Sequence, residues 1–160
     1  MGQEGQGMDS AALIGAVSRI EPSAQPRENS DTPAVRVATD RLLALLQGLR
    51  DAPDSAFDML LDHTAIDWPD RACFELLYRL YSTTHGHALV VCVEVPRAEP
   101  VAPTVCGIWR GAEWLEREVY DMFGVCYDDH PDLRRVFLED DWKGHPLRKD
   151  YEDPDMLAAP

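Results

Sequence analysis

The chain contains no glycine-rich phosphate loop, no GxGxxG turn and no CxxC pair, so nucleotide phosphates and iron–sulfur clusters have no ready-made cradle. Its four cysteines, Cys73, Cys92, Cys106 and Cys126, stand apart from one another, whereas a structural zinc or a cluster draws on grouped ligands. They read as reduced thiols partly in the core, and with no signal peptide before them a reducing, cytoplasmic compartment is expected. A long apolar run is also missing. The longest, Ala88–Val93, is far short of the roughly 20 residues that cross a bilayer. Positive charge is scarce: 15 Lys and Arg face 29 Asp and Glu, a formal charge of −14. That balance argues against general binding to nucleic acid or an anionic membrane, which calls for a basic surface.

What is present suffices for one domain, since 160 residues with 45% apolar side chains can fill one core. Residues 1–33 are expected to form a flexible N-terminal segment: a loose start, a short helix over Ala11–Ile20 capped by Ser10, and a linker from Glu21 to Pro33 with three prolines. Residues 34–125 form the core domain. Val35–Val37 predicts a short strand, and Leu42, Leu43, Leu45, Leu46 and Leu49 mark a helix capped by Thr39 or Asp40 and stopped by Pro53. Phe57–Trp68 is ambiguous between helix and strand. Cys73–Tyr81 alternates apolar and polar residues, Ser82–His87 has turn chemistry, and Ala88–Val95 is rich in β-branched residues; together they predict an antiparallel hairpin. Residues 126–160 alternate acids, bases and prolines with few apolar positions, and read as an extended docking tail. The fold class is therefore α/β of the α+β type: a small, mainly antiparallel sheet covered by helices, with a long irregular C-terminal tail.

The chain is organised around AEWLEREVYDMFGV, Ala112–Val125. At helical spacing Trp114, Leu115, Val119, Met122 and Phe123 share one face, with Glu116, Arg117 and Asp121 outside it. Glu118 falls within that apolar stripe, so it should have a cationic partner, for which Arg134 or Arg135 is proposed. Gly124 ends the helix. Downstream lie two basic, proline-containing segments, HPDLRR (His130–Arg135) and GHPLRKDY (Gly144–Tyr151). Such a tail carries too few apolar side chains to fold alone, and Gly144–Tyr151 is expected to be mobile until a partner surface fixes it.

Catalytic chemistry is hard to find. His85 and His87 sit in a turn without carboxylates at ligand spacing and read as surface residues. His130 and His145 each precede a proline and a basic segment, an echo that suits anion or quinone chemistry. Bracing of an extended strand through backbone and carboxylates accounts for them better, because neither segment offers a phosphate cradle or an adjacent nucleophile. Glu116 and Glu118 point in different directions on a helix and cannot share a substrate. No catalytic, cofactor-binding or metal residues are assigned.

EWLEREVYDMFGV, HPDLRR and GHPLRKDY, at this order and interval, resemble the signature of the 30 kDa (C-type) subunit family of respiratory complex I, the NADH:quinone oxidoreductase. The likeness is continuous from about Trp109 to Tyr151 and extends more weakly back through FELLYRLYS, FDMLLDHTAIDWP and LLALLQGLRDAP. The resemblance implies a core subunit of the peripheral arm of a translocase. It carries no cofactor of its own; iron–sulfur clusters, flavin and quinone belong to its partners. Those partners are the quinone-pocket subunit (D type), onto which the C-terminal segment wraps, and the iron–sulfur subunits (B and I types). The place is peripheral, on the cytoplasmic side of the cell inner membrane. Glu116, Arg117, Glu118, Asp121, His130, Arg134, Arg135, His145, Arg148, Lys149 and Asp150 match the motif, with docking and bracing as their implied roles. Asp129 stands where the family usually has glycine, and Thr104 where serine is more usual. The alternative is the equivalent scaffold of a membrane-bound hydrogenase or another donor-dependent dehydrogenase complex.

Overall fold

The computed structural model describes residues 7–153. Helix α1 (Ser10–Ile20) is followed by strands β1 (Gln25–Pro26) and β2 (Ala34–Arg36), then α2 (Leu42–Asp51). Three longer strands follow, β3 (Met59–Trp68), β4 (Cys73–Tyr81) and β5 (Ala88–Pro96), and then β6 (Val101–Pro103), α3 (Ala112–Phe123) and β7 (Cys126–Asp128). The five-stranded sheet has the order β1-β2-β5-β4-β3, and β6 pairs with β7 in a separate ribbon. Within the sheet only β2–β5 is parallel. The fold is α+β with a mostly antiparallel sheet.

The β4–β5 hairpin pairs Leu76 with Val93 and Leu80 with Leu89, which puts Phe74, Leu76, Tyr78 and Leu80 on one face with Val91, Val93 and Val95. Leu13 and Val17 of α1, Leu42, Leu45, Leu46 and Leu49 of α2, and Ala112, Val119 and Phe123 of α3 join the same core cluster. All three helices thus cover one sheet face. Each fully buried leucine stabilises the fold by roughly 1.5–3 kcal/mol relative to exposure. The other face carries a small cluster of Ala34, Val90 and Cys92, with Leu77 against it.

Several expectations need adjusting. The ambiguous Phe57–Trp68 segment is strand β3, where His63, Ala65 and Asp67 are buried at period two. A histidine and an aspartate on the inner face concealed that alternation. Helix α1 is capped by Asp9, whose side chain accepts the Ala12 amide at 2.8 Å, rather than by Ser10. Thr39–Arg41 is a 3-10 turn, and neither Thr39 nor Asp40 caps α2. Within the segment expected to be flexible, α1 contributes Leu13, Ala16 and Val17 to buried positions; residues 1–6 lie outside the described residues. His87 is 5% exposed, not a surface residue, and its Nε2 lies 2.8 Å from the Ser55 carbonyl. Cys126–Asp128, at the start of the expected tail, is β7, with Tyr127 buried.

Candidate functional site

Helix α3 faces the sheet through Ala112, Glu116, Val119 and Phe123, all buried at the i, i+4, i+7, i+11 spacing of a single stripe. This overturns the phasing read from the sequence. Trp114 is 59% exposed, Glu118 is exposed, and Glu116 is fully buried. The apolar residues alone misplace the stripe because its second member is a carboxylate. Glu118 has no hydrogen bond or ion pair among the described residues; Arg134 pairs with Asp132 at 2.9 Å and Arg135 with Asp121 at 2.7 Å.

Glu116 staples α3 to the loop after β6. Its Oε1 accepts the Val105 amide at 2.7 Å, and its Oε2 accepts the Thr104 hydroxyl at 2.5 Å and the Cys106 thiol at 3.4 Å. Burial raises the Glu116 pKa, and these hydrogen bonds only partly offset it. His130 Nε2 lies 3.7 Å from Oε2. The His130 Nδ1 accepts the Asp132 amide at 3.0 Å, so Nε2 carries the proton and donates to the Glu113 carbonyl at 3.1 Å. Cys106, Glu116 and His130 are thereby brought together, which sequence separation hid, and they form a group of metal-ligand types. The donors suit bracing better than a metal. Both imidazole nitrogens are committed to backbone, and burial pushes the Cys106 thiol up to about 11.

The opposite side of α3 is covered by the chain's own tail. Arg117, 3% exposed, donates to the Arg134 and Arg135 carbonyls at 3.1 and 3.2 Å and stacks 4.7 Å from the Trp114 ring. Asp121 is fully buried, and one oxygen accepts the amides of Val136, Phe137 and Leu138 at 3.0, 2.8 and 3.1 Å. Burial opposes its charge, but Arg135 and these amides outweigh burial and hold its pKa below the usual range.

The last turn of α3 contains no basic residue, and the tail supplies the caps for its open carbonyls. Arg135 and His145 reach the Asp121 carbonyl at 3.1 and 3.0 Å, the Leu147 amide reaches Met122 at 3.0 Å, and Arg148 reaches Phe123 at 2.6 Å. Gly124 has φ 76°, and a Cβ there would sit 2.6 Å from the His145 ring and 2.7 Å from Arg148. Further along, Lys149 donates its amide to buried Asp67 at 2.9 Å, its ammonium lies 5.4 Å from the Trp68 ring, and Arg97 joins Asp67 to Asp150. Gly144–Tyr151, expected to await a partner, is thus bonded to its own domain. The reason is hydrogen bonding to helix carbonyls, a resource that counting apolar side chains overlooks.

Asp67, Arg97, His63 and Tyr127 lie outside the resemblance motif, and the sequence assigns them no bracing role. His63 lies in the core with Nε2 2.5 Å from the Tyr127 hydroxyl and Nδ1 2.9 Å from the Leu77 carbonyl. A correct strand assignment for Met59–Trp68 was the signal that would have placed His63 and Asp67 inward. An open groove of about 770 Å³ runs between α2 and the loop that Glu116 braces, lined by Leu43, Gln47, Thr104, Cys106, Asp129 and Pro131 among others.

The family described as "Respiratory-chain NADH dehydrogenase, 30 Kd subunit" matches residues 35–155. The NADH-quinone oxidoreductase C subunit of Moorella thermoacetica is 38% identical over 139 residues, covering 87% of this chain and 93% of that protein. Its counterpart in Geotalea uraniireducens is 41% identical over 118 residues, covering 73% and 71%. Among solved structures, a chain of the membrane-bound sulfane sulfur reductase, an archaeal respiratory membrane complex, superposes with a TM-score of 0.77 at 25% identity over 92% of this chain and 88% of that one. A trypsin-resistant fragment of Nqo5 superposes with a TM-score of 0.61 at 27% identity, over 78% of this chain and all of the fragment.

Proposed function

We propose a structural role in electron transfer for this chain, which belongs to the respiratory-chain NADH dehydrogenase 30 kDa subunit family: a cofactor-free core subunit of the peripheral arm of a proton-translocating NADH:quinone oxidoreductase. In this reading it scaffolds the quinone-pocket subunit and the iron–sulfur subunits, on the cytoplasmic side of the membrane. Among the described residues no helix is long and apolar enough to cross a bilayer, which suits attachment through partners. The observation that carries the proposal is the fate of the motif. Glu116, Arg117, Asp121, His130, Arg135, His145 and Arg148 are committed to backbone atoms of their own chain. A residue bound in this way holds shape; it is not free to move a substrate proton or ligate a metal.

The archaeal sulfane sulfur reductase likeness supports a second reading, the same scaffold in a complex with a different donor or acceptor. Tagging the full chain in its host and isolating it from membranes in mild detergent separates the two. Co-isolation with flavin- and cluster-bearing subunits and NADH:quinone activity is expected. Co-isolation with hydrogenase or sulfur-reducing subunits would favour the second reading, and isolation alone would overturn both. The isolated chain should carry no stoichiometric iron, zinc or flavin by metal analysis and absorbance.

A further inference from the structure

Two residues that the bracing of α3 does not use meet in the core. Strand β7 lays Tyr127 against His63 of β3, and both side chains are buried. The Leu77 carbonyl can only accept, so His63 Nδ1, 2.9 Å away, carries the imidazole proton. Nε2 is therefore the bare nitrogen, and the Tyr127 hydroxyl donates to it at 2.5 Å. Because burial lowers the pKa of His63 to about 4, the ring stays neutral and able to accept a proton at any pH well above that. Tyr78 stacks on the same imidazole with ring centroids 4.1 Å apart. Its own hydroxyl is buried and meets no hydrogen-bond partner among the described residues. Among these residues, Tyr127 alone joins its phenol proton to a base.

A phenol gives up an electron more readily when its proton can leave in the same event, and a hydrogen-bonded imidazole provides that exit. Burial and, behind it, negative charge on neighbours that include Glu116 hold the Tyr127 phenol well above its usual pKa. Tyrosinate therefore does not form first, and the proton and the electron must leave together. The negative charge that disfavours the anion favours loss of an electron. We infer that Tyr127 and His63 form a proton-coupled redox site, where an oxidising equivalent that reaches this chain comes to rest. The co-reactant is a one-electron oxidant of the peroxyl-radical class. One electron leaves the Tyr127 ring, the phenol O–H bond breaks, and an N–H bond forms at His63 Nε2. The peroxyl takes that electron with a solvent proton and leaves as a hydroperoxide. A neutral tyrosyl radical then stands beside an imidazolium. Burial opposes that imidazolium, so the proton returns to the phenol oxygen when an electron is restored. The site is built from this chain alone and does not depend on the partners proposed above.

Photo-oxidation of the full-length chain tests it. A ruthenium polypyridyl complex is excited with persulfate as its electron sink, and samples are frozen at intervals for electron paramagnetic resonance. Once radicals on exposed aromatic side chains have decayed, the persisting signal should be a neutral tyrosyl. Tyr127→Phe should abolish that signal, His63→Phe should shorten its life, and Tyr78→Phe should retain it. A hydrogen bond that merely stabilises the core would change the melting of the first two variants and give no such signal. The inference is overturned if the wild type holds no persisting tyrosyl, if Tyr127→Phe holds as much, or if the lifetime is unchanged in His63→Phe. Loss of the signal in Tyr78→Phe overturns it as well. Should a core variant fail to fold, a fluorotyrosine at position 127 of the otherwise unchanged chain decides. Fluorine hyperfine splitting in the persisting signal supports the site, and a persisting signal without it overturns the assignment.

Discussion

Glu116 and Glu118 give the sharpest test of how α3 is built. Glu116→Ala strands the Thr104 hydroxyl and the buried Val105 amide and should cost roughly 2–4 kcal/mol. Exposed Glu118→Ala should stay within about 0.5 kcal/mol. Denaturant titration of the two variants checks the order, which is the reverse of the one the sequence implied. Asp129 has φ 63°, the left-handed region where glycine is at ease. Asp129→Gly should therefore stabilise the chain by about 0.5–1 kcal/mol, read in the same titration. Burial lowers the pKa of His63 to about 4 despite its bond to the Leu77 carbonyl. A group whose pKa is depressed on folding contributes stability that is complete above its unfolded value, about 6.5, and is lost as pH falls through the folded one. The loss from this residue is on the order of 3 kcal/mol. Titrations at pH 7, 5.5 and 4 should show a decline that is much shallower in His63→Phe.

At the scale of elements, α3 ends correctly only because the tail returns to it. Gly124→Ala would force a left-handed residue and push a methyl into His145 and Arg148. A loss of about 1–2 kcal/mol is expected from the backbone alone, with more from the displaced caps, and thermal melting of the full chain measures it. Much of this architecture was legible. The β4–β5 hairpin and the leucine helix announced themselves through period two and period 3.6, and Gly124 through its place after the last apolar residue. The phase of α3 was not legible, because helical periodicity scores Glu116 as polar although its environment supplies three hydrogen-bond donors. Nor was the tail's attachment. Its energy lies in cations on helix carbonyls and in amides on Asp121 and Asp67, pairings between residues far apart in the chain. The resemblance motif singled out most of these residues without giving their partners, and so left bracing and docking undivided.

For the whole molecule, acid behaviour and assembly follow from the same buried charges. Burial disfavours the charge on Glu75, but bonds from Arg27, Arg36 and Trp68 prevail and hold its pKa at about 2; Arg97 likewise lowers that of Asp67. Both carboxylates contribute fully above their unfolded values and lose that contribution as pH falls through the folded ones, for Glu75 toward about 2, while Glu116, shifted upward, works in the opposite direction. Glu75→Gln should make the acid limb of stability against pH less steep. Residues 130–151 fold onto their own α3 and need no partner to do so. Amide hydrogen exchange of the free, full-length chain tests this most directly. Protected amides are expected at Phe137, Leu138, Leu147 and Lys149, with protection at 137 and 138 lost in Asp121→Asn. Exchange of these four amides at unfolded-chain rates in the wild type would contradict it.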